Sequence, residues 1–218
     1  MSNLRKILNL IGYFIGYQCF VSIIFIGLYF PHQIKIWATI IFAIIGCLLS
    51  GKYLWWLINK YRSQQDLKFN LPRFSTIKVL IIAVIIISLI QYLTNFIPEP
   101  TNQKELDKLI QANIPLFSLS TVILAPLYEE LIFRGFLAKY FFPNFKNGKN
   151  VILYAVISGV LFGFAHEPVL DAAFLLYSSI GIVLAMTYVN CRDLRYNIGL
   201  HMLMNLVATG IMILNMNI

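Results

Sequence analysis

The adjacent acids Glu129 and Glu130 and the base Arg134 sit inside the apolar stretch ANIPLFSLSTVILAPLYEELIFRGFLAKYFF. Each such charge at mid-membrane depth costs about 2.5–3.5 kcal/mol on insertion scales, so it is a candidate for function by default. On an α-helix, residues four apart share a face and neighbours diverge by roughly 100°. Glu130 can therefore pair with Arg134 while Glu129 projects elsewhere. A guanidinium that stays protonated would hold Glu130 ionised, leaving Glu129 free to act as a general base on water. A polar clasp that only fixes helix packing would use the same three residues.

Two of the three histidines, His166 and His201, also lie in apolar segments. The run FGFAH puts Phe162 and His166 four apart on one helix face. Gly159 and Gly163 form a second four-residue pair, which lets another helix approach closely. The residues after His166 do not complete the zinc-protease pattern H-E-x-x-H, because position 170 is Leu170. The run HMLMN places His201 and Asn205 on one face of the last apolar segment. An imidazole and a carboxamide there can donate hydrogen bonds to a developing oxyanion, as acyl transfer requires. A hydrogen-bonded clamp between helices is the plainer reading of the same pair.

The elements that must position these groups are membrane spans. The 218 residues are 59% hydrophobic and 12% charged, and the mean hydropathy is +0.77, the profile of a polytopic membrane protein. At about 20 apolar residues per span, seven are expected, near residues 7–30, 36–58, 76–97, 114–138, 150–167, 169–190 and 196–215. The first is too long for a signal-peptide core and lacks a small-residue cleavage site, so it reads as a retained span. Polar stretches at 59–75 and 96–113 read as loops, the second interrupted by prolines. Glu167-Pro168 marks a tight break between the fifth and sixth spans.

The net charge of +8 does not point to nucleic acid, because the basic residues cluster in short connections between apolar runs. With Arg134 set aside, thirteen Lys and Arg residues fall on one side and three (Lys35, Lys104 and Lys108) on the other. The positive-inside rule then predicts an inner N-terminus. Trp37, Tyr53, Trp55, Trp56, Tyr61 and Tyr140 fall near the expected interfaces, where amphipathic rings are favoured. Cys19, Cys47 and Cys191 show neither metal-ligand nor disulfide spacing and read as packing residues. The expected fold class is all-α, a polytopic transmembrane helical bundle forming a single integral membrane domain over residues 1–218.

The ordered motifs Glu-Glu-x-x-x-Arg, Phe-x-x-x-His and His-x-x-x-Asn, on three separate spans within residues 114–215, resemble those of the intramembrane CAAX-protease and bacteriocin-processing (CPBP, or Abi) family. That resemblance implies an intramembrane endopeptidase of the bacterial cell membrane, acting on membrane-associated or lipidated peptides or proteins amid membrane lipids. It implies that Glu129 and His166 activate water, that His201 and Asn205 stabilise the oxyanion, and that Glu130 and Arg134 hold the first motif in shape. Zinc could be held by Glu129, His166 and His201, although Asn205 is a poor zinc ligand and suits a metal-free mechanism better. Two other classes use the same residues: a non-catalytic bacteriocin-immunity or regulatory protein of the same fold, and a proton-coupled transporter. One tension remains between motif and topology. Glu129 and His201 fall toward the inner side, whereas His166 falls at the outer end of its span, and the three must converge to work.

Overall fold

The computed structural model describes residues 2–71 and 73–216; Pro72, within the first expected loop, lies outside them. Seven helices are long and apolar enough to cross a membrane. In chain order they are α1 (Asn3–Tyr29), α2 (Lys35–Arg62), α3 (Thr76–Phe96), α5 (Ile114–Phe141), α6 (Gly148–His166), α7 (Ala172–Cys191) and α8 (Leu194–Asn215). The chain is an integral membrane protein built as a polytopic helical bundle. The bounds fall within a few residues of the apolar runs, since only a helix satisfies every backbone group across a bilayer.

The polar stretch at 96–113 is not a simple loop. Helix α4 (Thr101–Ala112) occupies most of it, starting directly after Pro100 and burying Ile110. The prolines precede the helix rather than interrupt it, and Pro is well tolerated at a helix start. In the stretch at 59–75, α2 runs on to Arg62, and β1 (Lys68–Phe69) then pairs in parallel with β2 (Asn144–Phe145) from the α5–α6 connection. The Phe69 and Phe145 rings stack at 5.2 Å. This clip joins the two connections at the same end of the bundle.

Trp37, Trp55 and Trp56 are exposed. Tyr140, next to the end of α5, is buried, and its hydroxyl meets that of Tyr13 at 3.0 Å. Of the cysteines expected to pack, Cys191 is buried, Cys47 half-buried and Cys19 exposed. The glycine pair of α6 does admit a neighbour: a Cβ on Gly159 would lie 2.6 Å from the Ser178 carbonyl oxygen of α7. A Cβ on Gly181 would in turn lie 2.8 Å from the Gly159 Cα. This close approach brings the α7 backbone to the buried charges of α5.

Helix α5 departs from α-geometry twice, with π-helical turns at Leu119–Leu124 and Glu130–Phe136. Such turns are rare and frequently mark functional sites. The second one begins at Glu130 and contains Arg134. Its wider winding brings residues four apart closer to one line along the axis, so the expected pair survives the change of helix type.

Candidate active site

Glu130 and Arg134 are both fully buried. Arg134 Nη1 lies 3.1 Å from Glu130 Oε1, an ion-pair contact whose N–H is not aligned as a hydrogen bond. The same carboxylate oxygen lies 2.9 Å from His201 Nδ1, and Oε2 accepts from Asn197 Nδ2 at 3.1 Å. Asn197 also donates to the Leu184 carbonyl at 2.7 Å, and Arg134 Nη2 donates to the Gly181 carbonyl at 3.2 Å. Glu130 is therefore the centre of a knot that ties α5 to α7 and α8, with both of its own oxygens engaged although Arg134 Nε and Nη1 and Asn197 Oδ1 have no hydrogen-bond partner among the described residues.

Glu129, one residue earlier, is buried in a different setting. Its Oε1 accepts a 3.3 Å hydrogen bond from the Tyr17 hydroxyl of α1. Its Oε2 has no hydrogen-bond partner among the described residues and lies 3.7 Å from His166 Nε2. The two glutamates thus diverge, as the helical period requires.

His166 reaches Glu129 despite sitting at the far end of α6. Counted from the end where α5 meets α6, Glu129 is roughly 18 Å along its helix and His166 roughly 27 Å along its own. Helical side chains lean toward the N-terminus of their helix, and these two helices run in opposite directions. Glu129 and His166 therefore lean toward one another, which closes most of the difference. The imidazole is visibly folded back, with Nδ1 2.9 Å from the Phe162 carbonyl oxygen of the preceding turn.

Phe162 is a shared platform. Its ring lies 4.2 Å from that of His166 and 5.9 Å from that of His201, and the Arg134 guanidinium sits 4.5 Å from its centroid. Asn205 stands one turn beyond His201 and donates through Nδ2 to the Thr121 carbonyl at 2.9 Å, in the first π-turn of α5. The structure therefore brings Glu129 to His166, Glu130 to Arg134 and His201, and Asn205 to the backbone of α5. No group of three or more His, Cys, Asp or Glu side chains is arranged to hold a metal ion among the described residues. Glu129, His166 and His201 are not such a group.

Several site residues were not singled out from sequence. Asn197 carried a signal, because Asn197, His201 and Asn205 recur every four residues along one face of an otherwise apolar span. Tyr17 carried none, since a tyrosine in a first span has no mark that distinguishes it from a packing residue. Glu167 and Tyr177 were also hidden. Buried Glu167 accepts from the Thr101 N–H at 2.7 Å, and Tyr177 stacks on His166 at 5.1 Å while accepting from Asn102. Together they fasten the start of α4 beside the catalytic candidates.

Residues 111–207 match the family model of the type II CAAX prenyl endopeptidases, Rce1-like. That segment contains all three motifs and all six candidate residues. The motif-bearing part of the chain is thus similar to this CAAX-protease family. Two curated relatives are bacterial. The membrane-embedded CAAX protease MroQ of Staphylococcus aureus is 31% identical over 100 residues, covering 44% of this chain and 39% of the relative. The "Putative membrane peptidase YdiL" of Bacillus subtilis is 31% identical over 107 residues, covering 49% of this chain and 41% of the relative. The chain thus matches about two fifths of the length of these curated relatives. No solved structure matches it. The family match begins just before α5, so α1, with Tyr17, and α2 and α3 lie outside it.

Proposed function

We propose that this protein is an intramembrane endopeptidase that hydrolyses a peptide bond in a membrane-associated or lipidated peptide or protein. The observation that carries the reading is the Glu129–His166 pair: a buried carboxylate oxygen without a hydrogen-bond partner among the described residues, 3.7 Å from an imidazole nitrogen. That spacing is too long for a direct hydrogen bond and suits a water held by both groups.

With Nδ1–H donated to the Phe162 carbonyl, the lone pair of His166 lies on Nε2. Water placed between Nε2 and Glu129 Oε2 gives one hydrogen to each acceptor, which raises the electron density on its oxygen. As that oxygen attacks the scissile carbonyl, Glu129 takes the proton and the carbonyl π-electrons move to oxygen. The resulting oxyanion is met by His201, which donates Nε2–H to it while Nδ1 stays engaged by Glu130. Asn205 adds its second amide N–H, because one is used on Thr121 and a carboxamide has two. Preorganised donors of this sort act strongly in a water-poor interior. Collapse of the intermediate breaks the C–N bond, and Glu129 returns its proton to the leaving amine. Glu130 and Arg134 touch none of the reacting atoms and fix the position of His201.

The test compares membrane and released peptides by mass spectrometry from cells expressing the wild type or Glu129→Gln at matched levels. Peptides that appear only with the wild type support the reading and identify the substrate and cleaved bond together. Identical profiles alongside an intact cellular phenotype overturn it in favour of a non-catalytic immunity or scaffold role.

A further inference from the structure

Helix α7 has two working faces. One presents the Gly181 and Leu184 carbonyls to Arg134 and Asn197. The other forms, with α3, a groove of about 640 Å³, inside the ~300–1,000 Å³ range of sites that enclose small ligands. From α3 come Val79, Ile82 and Ile86, spaced along one helix face, and from α7 come Val183 and Met186. The groove is apolar along its length and becomes cationic at one end, where Arg73 and Lys78 line it. There the start of α3 meets the end of α7, since Arg73 Nη2 donates to the Cys191 carbonyl at 3.3 Å.

Neither cation has a carboxylate within ion-pair distance among the described residues. The hydrogen bonds of Arg73 go to the Thr76 hydroxyl and the Cys191 carbonyl. Asp193, whose field reaches Arg73, is engaged by Arg195 through contacts of 2.6–3.1 Å. The distribution of Lys and Arg along the chain assigns this end to the cytoplasmic face, where anionic lipids gather and where basic pockets between spans take lipid head groups.

We propose that the α3–α7 groove is a binding site for an anionic phospholipid, with an acyl chain along the seam and the phosphate between Arg73 and Lys78. A zwitterionic lipid fills the apolar wall equally well but leaves the two cations only partly answered. The hydrocarbon chain of a lipidated substrate also fits the wall, yet it brings no phosphate to the mouth. The uncompensated charges therefore select the occupant.

Native mass spectrometry of the detergent-solubilised full chain tests this, using phosphatidylglycerol and phosphatidylcholine with matched acyl chains. The wild type should retain phosphatidylglycerol about tenfold more tightly, as two cations near a head group imply, and the preference should shrink as salt is raised. The double substitution Arg73→Gln/Lys78→Gln should bring the two lipids close to equal retention. Ile82→Trp, which fills the groove from an already exposed position, should release both. Melting of each variant in lipid-free detergent should match the wild type. Equal retention of the two lipids by the wild type overturns the proposal without reliance on any variant. So does a full preference in the double variant, retention of a prenylated peptide but no phospholipid, or a dimer that excludes lipid from the groove.

Discussion

The Glu130 knot and the Glu129–His166 gap lie side by side in the bundle, built on consecutive residues of the same type, and they are finished in opposite ways. Around Glu130, Arg134, His201 and Asn197 all face the carboxylate. Around Glu129, one oxygen has a tyrosine hydroxyl and the other faces an imidazole across 3.7 Å. The difference comes from which helices meet each side of α5: α7 and α8 on one, α1 and α6 on the other. A carboxylate with both oxygens engaged is held in place, and one with an oxygen left short is where reactivity can be held. In the mechanism proposed above, the first carboxylate is scaffold and the second transfers the proton.

The most direct way to break that assignment is Glu129→Gln. The amide preserves shape but cannot take a proton from water, so cleavage should fall by about 10²–10⁴-fold, the usual contribution of a general base. Abundance should stay at the wild-type level. The check is substrate cleavage in membranes matched by immunoblot, and wild-type turnover would remove Glu129 from the role of base. Arg134→Ala should do the reverse. It leaves a buried carboxylate without its guanidinium, a loss of about 3–5 kcal/mol, read as reduced abundance and a lower melting temperature. A variant that accumulates normally with full activity would erase the distinction between the two glutamates.

Much of this comparison was legible in the residues themselves. Seven apolar runs gave seven spans because hydrophobic length is a strong constraint in a bilayer. The four-residue spacings of Glu130 with Arg134 and of Gly159 with Gly163 translated directly into an ion pair and a close helix approach. What escaped was information carried by neither hydropathy nor spacing. Helix α4 reads as a loop because Lys104, Glu105, Asp107 and Lys108 dominate its composition, although its buried Ile110 turns inward. The apparent mismatch in depth between Glu129 and His166 came from counting Cα positions. Side-chain direction, reversed between antiparallel helices, supplies the missing reach.

Asn197→Leu sharpens the comparison from the scaffold side. Losing a hydrogen bond to a charged group costs about 1.5–3 kcal/mol, so the melting temperature should drop less than in Arg134→Ala. The protein that does fold should turn over substrate with an unchanged KM. A large rise in KM at normal stability would mean that Asn197 touches substrate instead of holding Glu130.

Tyr17→Phe probes the smallest expected effect and the one that crosses from the first half of the chain into the second. The phenyl ring keeps the stack on Tyr128, now at 4.7 Å, so the packing of α1 on α5 should survive. Only the hydroxyl that orients Glu129 Oε1 is removed. A hydrogen bond of 3.3 Å belongs at the weak end, about 0.5–1.5 kcal/mol, which predicts a fall in kcat of roughly 2–12-fold with KM and abundance unchanged. Tyr17→Ala also removes the stack and should lower abundance as well, separating orientation from packing. If Tyr17→Phe equals the wild type in kcat, then Glu129 is aimed from the α6 side alone and α1 serves the site only as a wall. If kcat falls as expected, a span outside the family-matched residues helps determine which oxygen of the carboxylate faces water.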